Sequence, residues 1–160
     1  MGNRPFNQAA YDAFDKSSKL KLVELIEKTS DYRLSGDLNI ELYKNGDVMF
    51  KNKNKTVLFE NEVRTNFDTI VQTYETIHIP IRKQNTPADF YIVWRNDLWQ
   101  FILIDKNTLK KYKNSIVTVK CNNEMNRTDS YVEDFMDIPK EETQWYLIGK
   151  EFKLMKVSYD

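Results

Sequence analysis

The chain reads as an α/β protein, a mixed β-sheet flanked by helices, and two observations lead to that class. Residues 8 to 28, QAAYDAFDKSSKLKLVELIEK, contain no Gly or Pro and space their apolar residues for a helix. Past Ser35-Gly36 the apolar period drops to two, and short runs bounded by Asn, Asp, Gly and Lys continue along the rest of the chain.

Each element follows from local chemistry. Leu20, Val23 and Ile26 set the stripe of the first helix, which is either continuous or broken near Ser17-Ser18. Leu38, Ile40 and Leu42 alternate with polar residues as a half-buried strand, Asn45-Gly46 is a tight hairpin turn, and Asp47 to Phe50 returns. The polar run KNKNK turns the chain into a third strand, Thr56 to Arg64. Phe67, Ile70, Val71 and Tyr74 behind an Asn66 cap suit a short helix or turn. Pro80 and Pro87 punctuate the basic stretch that follows. Strands from Phe90 to Trp94 and from Trp99 to Ile104 flank an Asn96-Asp97 turn. Thr108 to Tyr112 suits one helical turn, and Ile116 to Lys120 a short strand. Asn122 to Ser130 is polar and irregular, and Tyr131 to Met136, Trp145 to Ile148 and Phe152 to Val157 supply the last apolar anchors.

Composition narrows the functional classes. A chain of 160 residues, 41% hydrophobic and 13% aromatic, suits one domain over 1–160 with a sizeable core. The formal net charge is zero, so polyanion binding would need a local patch. The one cysteine, Cys121, forms no internal disulfide, and no N-terminal apolar run resembles a signal peptide, so a cytoplasmic, intracellular location is expected. No apolar run approaches the roughly 20 residues needed to span a bilayer. Cys121 and His78 cannot supply the four soft ligands of a zinc site.

The stretch VLFENEVR, residues 57 to 64, asks for an explanation. As a strand it places Val57, Phe59 and Val63 on one face and Leu58, Glu60, Glu62 and Arg64 on the other. Like charges two residues apart on one face sit roughly 7 Å apart and repel unless a cation or a base lies between them. A solvated edge strand would account for the row equally well. Asp37, heading an earlier strand, could bring a third carboxylate beside it, and an oxygen-ligand set of that kind suits Mg²⁺ or Mn²⁺. Asp47, which also heads a strand, is the fallback for Asp37, although a place beside a hairpin turn fits a turn role better.

A helix, a strand headed by an Asp and a strand carrying an acid-x-acid pair resemble the PD-(D/E)XK nuclease superfamily, which includes restriction and homing endonucleases. The resemblance covers roughly residues 20 to 104 and continues through IHIPIRKQNTPADFYIVWRNDLWQFILI, similar to phage-type and restriction-like members. It implies a restriction-endonuclease-like sheet and a metal-dependent DNA endonuclease, with Asp37 and Glu60 on the metal and Glu62 at the position usually held by Lys. Arg64, His78, Arg82 and Lys83 are the candidate contacts to double-stranded or branched DNA, and Glu24 a candidate helix acid. His78, between Ile77 and Ile79, fits a hydrogen-bonded structural role as readily as a functional one, and Trp94 and Trp99 fit cross-strand packing better than base stacking. Cutting both strands with one small site calls for a homo-oligomer. The alternative reading is a catalytically silent nuclease fold that binds nucleic acid or a protein partner.

Overall fold

The structure, a computed structural model, describes residues 8–29, 39–42, 47–51, 55–122 and 130–159. The expected Asn45-Gly46 turn, most of the KNKNK turn and most of the irregular 122–130 stretch lie outside them. Helix α1 (Gln8–Thr29) precedes strands β1 (Asn39–Leu42), β2 (Asp47–Lys51) and β3 (Thr56–Arg64). Helix α2 (Phe67–Thr73), strand β4 (Thr76–Pro80) and a 3₁₀ turn at Ile81–Lys83 lead to β5 (Phe90–Arg95) and β6 (Gln100–Asp105). Helix α3 (Lys106–Lys111), β7 (Ile116–Asn122), β8 (Ser130–Pro139), β9 (Gln144–Ile148) and β10 (Leu154–Val157) complete the order.

Among the described residues the strands form two sheets. The larger has seven strands in the order β1-β2-β3-β5-β6-β9-β10, and the smaller has the order β4-β8-β7. β1, β2 and β3 make an antiparallel meander, and β5 then runs parallel beside β3, with Glu60 opposite Tyr91 and Glu62 opposite Val93. The remaining pairings of the large sheet, through β6, β9 and β10, are antiparallel. The large sheet is therefore mixed, as expected. The second sheet was not expected: β4 falls where Pro80 reads as punctuation, but Pro80 closes the strand, where the lost N–H donor matters least.

The large sheet is covered on both faces. On one, Leu22 and Leu25 of α1 pack with Val48, Phe50, Val57, Phe59, Ile92, Trp94 and Phe101. On the other, α2, α3 and the small sheet bury Phe67, Ile77, Ile79, Tyr91, Val93, Ile102, Met136 and Ile138. β5 is covered on both sides, which is why FYIVWR reads as a continuous apolar run and why Tyr91, Ile92, Val93 and Trp94 are all buried. Burying a side chain the size of Leu22 contributes about 1.5–3 kcal/mol.

Helix α1 differs from the sequence expectation in two ways. It runs unbroken through Ser17-Ser18, and its inner stripe is Ser18, Leu22 and Leu25, while Leu20 is half exposed. A buried serine lies on that stripe because Ser18 Oγ accepts from Asn61 Nδ2 at 2.7 Å and donates to the Asp15 carbonyl at 2.9 Å. Asn61 Oδ1 in turn accepts from Trp94 Nε1 at 2.8 Å. This neutral chain of hydrogen bonds satisfies every buried polar group that it brings together and sets the rotation of α1 over the sheet.

Two short helices start differently. Asn66 caps α2 without a side-chain hydrogen bond, whereas Asp105 caps α3 by accepting from Thr108 N at 2.8 Å.

Candidate functional site

Strand β3 sorts its side chains as the alternation requires. Val57, Phe59, Asn61 and Val63 face α1, and Leu58, Glu60, Glu62 and Arg64 face the layer that holds the small sheet. β3 is thus an interior strand of the sheet, and its acidic row runs from a buried Glu60 to a Glu62 that is about a third exposed.

Glu60 is buried, and its carboxylate has two partners from the segment after β4. Lys83 Nζ donates to Oε1, and Thr86 Oγ1 donates to Oε2 at 3.1 Å. The Lys83 side chain stays 27% exposed, so this ammonium touches both the buried carboxylate and solvent. On the neighbouring strand Asp47 is the Cα register partner of Glu60.

Glu62 belongs to a second network. Arg64 Nε and Nη2 donate to its two oxygens at 2.8 and 3.2 Å, and Tyr91 Oη also donates to Oε2. Arg64 Nη2 donates further to the His78 carbonyl at 2.8 Å, tying β3 to β4. Burial pushes the Glu62 carboxyl up, but the Arg64 charge and the hydrogen bonds from Arg64 and Tyr91 outweigh it and hold the group below its ordinary value. Burial acts against the Arg64 charge too, yet the adjacent Glu62 carboxylate makes the guanidinium hold its proton more tightly than usual. Burial and the Glu62 charge together raise the Tyr91 hydroxyl well above its ordinary range. Glu62, Arg64 and Tyr91 therefore form a charged pair with a neutral phenol.

The other expected site residues are dispersed. Asp37 lies outside the described residues. Glu24 pairs with Lys28 at 3.3 Å on α1, which covers the opposite face of the sheet, so it does not stand above the acidic row. His78 bonds Asp137 through Nε2 at 3.1 Å and stacks on Phe135 with ring centroids 5.7 Å apart, on the outer face of the small sheet. Arg82 and Lys83 diverge: Arg82 pairs with Glu133 of β8, Lys83 with Glu60 of β3.

Thr86, Tyr91 and Asp89 were not anticipated. Asp89 accepts from Leu58 N at 2.9 Å and its own N–H donates to the Leu58 carbonyl at 2.8 Å, fixing the loop that carries Thr86 against β3. Tyr91 carried a usable signal, since a tyrosine in an apolar central strand must place its hydroxyl on a partner when buried. Thr86 and Asp89 carried none, because their partners are distant in sequence.

Among the described residues no three His, Cys, Asp or Glu side chains gather closely enough to hold a metal ion by themselves, and no helix is long and apolar enough to cross a membrane. No family model matches the chain, and comparison with curated proteins and with solved structures finds no match.

Proposed function

We propose that this protein is a metal-dependent phosphodiesterase acting on DNA, an endonuclease of the PD-(D/E)XK kind, with Asp47 and Glu60 as its carboxylate pair. The observation that carries this reading is the β2–β3 register: Asp47 heads β2 directly beside Glu60, and Glu60 holds the partly exposed Lys83 ammonium. The order of helix, antiparallel meander and parallel return strand supports a restriction-endonuclease-like fold. Asp47 thereby takes the part assigned to Asp37 from sequence. Lys83 supplies, from the turn after β4, the base that Glu62 replaces on β3.

Two hard carboxylates suit Mg²⁺ or Mn²⁺, since Mg²⁺ commonly takes one or two protein carboxylates and fills its remaining positions with water and phosphate oxygens. Bound there, the ion would polarise the phosphate and lower the pKa of a coordinated water. Lys83 sets a positive charge where negative charge develops on the phosphate. Glu62, held by Arg64 and Tyr91, keeps the β3–β4 junction rigid. Arg64 is committed to Glu62 and the His78 carbonyl, which makes it a positioning residue here. Arg82, two-thirds exposed, is the better contact to a passing phosphate backbone. Cutting both strands would engage two copies of the chain.

One observation favours the silent-fold alternative: Glu60 and Glu62 each already hold an internal cation. Plasmid cleavage in Mg²⁺ or Mn²⁺ against EDTA separates the two. Metal-dependent cutting is expected, with Asp47→Asn and Glu60→Gln losing it and Lys83→Ala slowing it roughly a hundredfold. A folded wild type that retards duplex DNA in a gel without cutting it would establish the silent reading.

A further inference from the structure

We propose that the open edge of β7 pairs antiparallel with the same edge of a second copy of the chain, joining the two small sheets across a twofold axis at Thr118. Among the described residues β7 ends the small sheet, with β8 on one side and no strand on the other. The Asp137 N–H donates to the Ser115 carbonyl at 2.7 Å, so Val117, Val119 and Cys121 continue that alternation and turn their backbone groups toward β8. Ile116, Thr118 and Lys120 therefore direct their N–H and C=O groups to the open side. Proteins commonly blunt such an edge with several charges, a proline or a bulge. β7 has β-branched residues at four consecutive positions, Ile116 to Val119, one charge at Lys120, no proline and an unbroken register with β8.

The far end of the β7–β8 hairpin runs past the core. Met136 is fully buried, but Val132, four residues along the same face, is 67% exposed, and Tyr131 on the other face is 46% exposed. A two-stranded ribbon with solvent on both faces is marginal in water, and further strands stabilise it. The edge suits its own copy as that addition. Centred on Thr118, the antiparallel register sets Thr118 against Thr118, Val117 against Val119 and Ile116 against Lys120, all favourable cross-strand pairs or neutral ones. The half-exposed Ile116 then lies under the aliphatic stem of the other copy's Lys120, and the two lysines stand four residues, about 14 Å, apart along the strands. An axis at Lys120 would oppose like charges directly. Glu133 and Asp134, paired across from Val119 and Thr118, weigh against a nucleic-acid strand as the occupant. The pairing stands whether or not the phosphodiesterase reading holds.

Sedimentation velocity of the full chain over a range of concentrations should show a reversible monomer–dimer equilibrium. Thr118→Pro separates this pairing from a dimer made elsewhere. The Thr118 N–H points away from β8, so proline removes an intermolecular donor from each copy and leaves the hairpin's own ladder whole. With circular dichroism unchanged, it should weaken dimerisation about tenfold or more. In a Cys121→Ser background, Thr118→Cys should give a disulfide-linked dimer on oxidation, whereas Ile116→Cys should not, because its two copies would lie well beyond the roughly 7 Å that a disulfide spans between Cα atoms. This cross-linking pair decides the matter if Thr118→Pro disturbs the fold. A chain that stays monomeric at every concentration, a dimer untouched by a folded Thr118→Pro, or cross-linking through Ile116→Cys as readily as through Thr118→Cys would overturn the proposal. None of these measurements involves DNA or a divalent ion, so failure here is separate from failure to cleave plasmid.

Discussion

The two faces of β3 bury polar side chains by different means. Toward α1, Asn61 sits in a neutral chain with Ser18 and Trp94, each member almost wholly buried. Toward the small sheet, Glu60 and Glu62 are charged, and their partners Lys83 and Arg64 retain part of their exposure. A neutral network satisfies its donors and acceptors without the desolvation cost of ions, so it can be sealed in. A charged one costs several kcal/mol per ion to dry completely, so it stays near water. The first arrangement is sealed from solvent, while the second keeps contact with it.

The largest effect expected from breaking this contrast is on the charged side. Arg64→Met leaves Glu62 without its bidentate partner and should lower unfolding stability by about 3 kcal/mol, the lower end for a broken buried pair because Glu62 keeps about a third of its exposure. Denaturant titration measures it, and a loss no greater than that of an exposed pair would mean the network is surface in character. On the neutral side, Asn61→Leu leaves the Trp94 indole N–H buried without an acceptor and should cost about 1–3 kcal/mol. On the phosphodiesterase proposal, this variant should cleave plasmid as fast as the wild type at a temperature where it is folded, because Asn61 lies on the face of β3 away from Glu60.

The smallest effect is a pH dependence. The Glu62 carboxyl titrates below its ordinary 4.5 in the folded protein, so the unfolded chain takes up its proton first as acid is added. The stability contributed by Glu62 is complete above the ordinary glutamate range and drains away as pH falls through the lowered value. Thermal melts between about pH 5 and pH 3 should therefore show a steeper decline for the wild type than for Glu62→Gln. Parallel slopes would assign the acid sensitivity to other carboxylates.

Much of β3 was legible in the sequence. The period of two separated the Val57 face from the Glu60 face correctly, because strand alternation is a property of the backbone. The stripe of α1 was misplaced by a small rotation, since Leu20, Val23 and Ile26 form a plausible apolar line and only Asn61, on a strand distant in sequence, makes the Ser18 side the buried one. β4 and the small sheet were missed because their apolar residues fit the period of two only once β8 supplies the pairing edge. The acidic pair was found, but the partner of Glu60 was not: Lys83 reads from sequence as a DNA contact, and only the turn after β4 folding back onto β3 brings it to that carboxylate.

The sequence by itself determined the helix at the start, the meander, the continuous apolar run of β5 and the presence of two acids on one strand face. These are local matters of period, turn chemistry and side-chain type. Tertiary structure alone decided that Asp47 is the register partner of Glu60, that Glu60 meets Lys83, and that Trp99 remains exposed while Trp94 is sealed. Those outcomes depend on strand register and on segments far apart in the chain arriving at one place, and no local preference encodes which segments will meet.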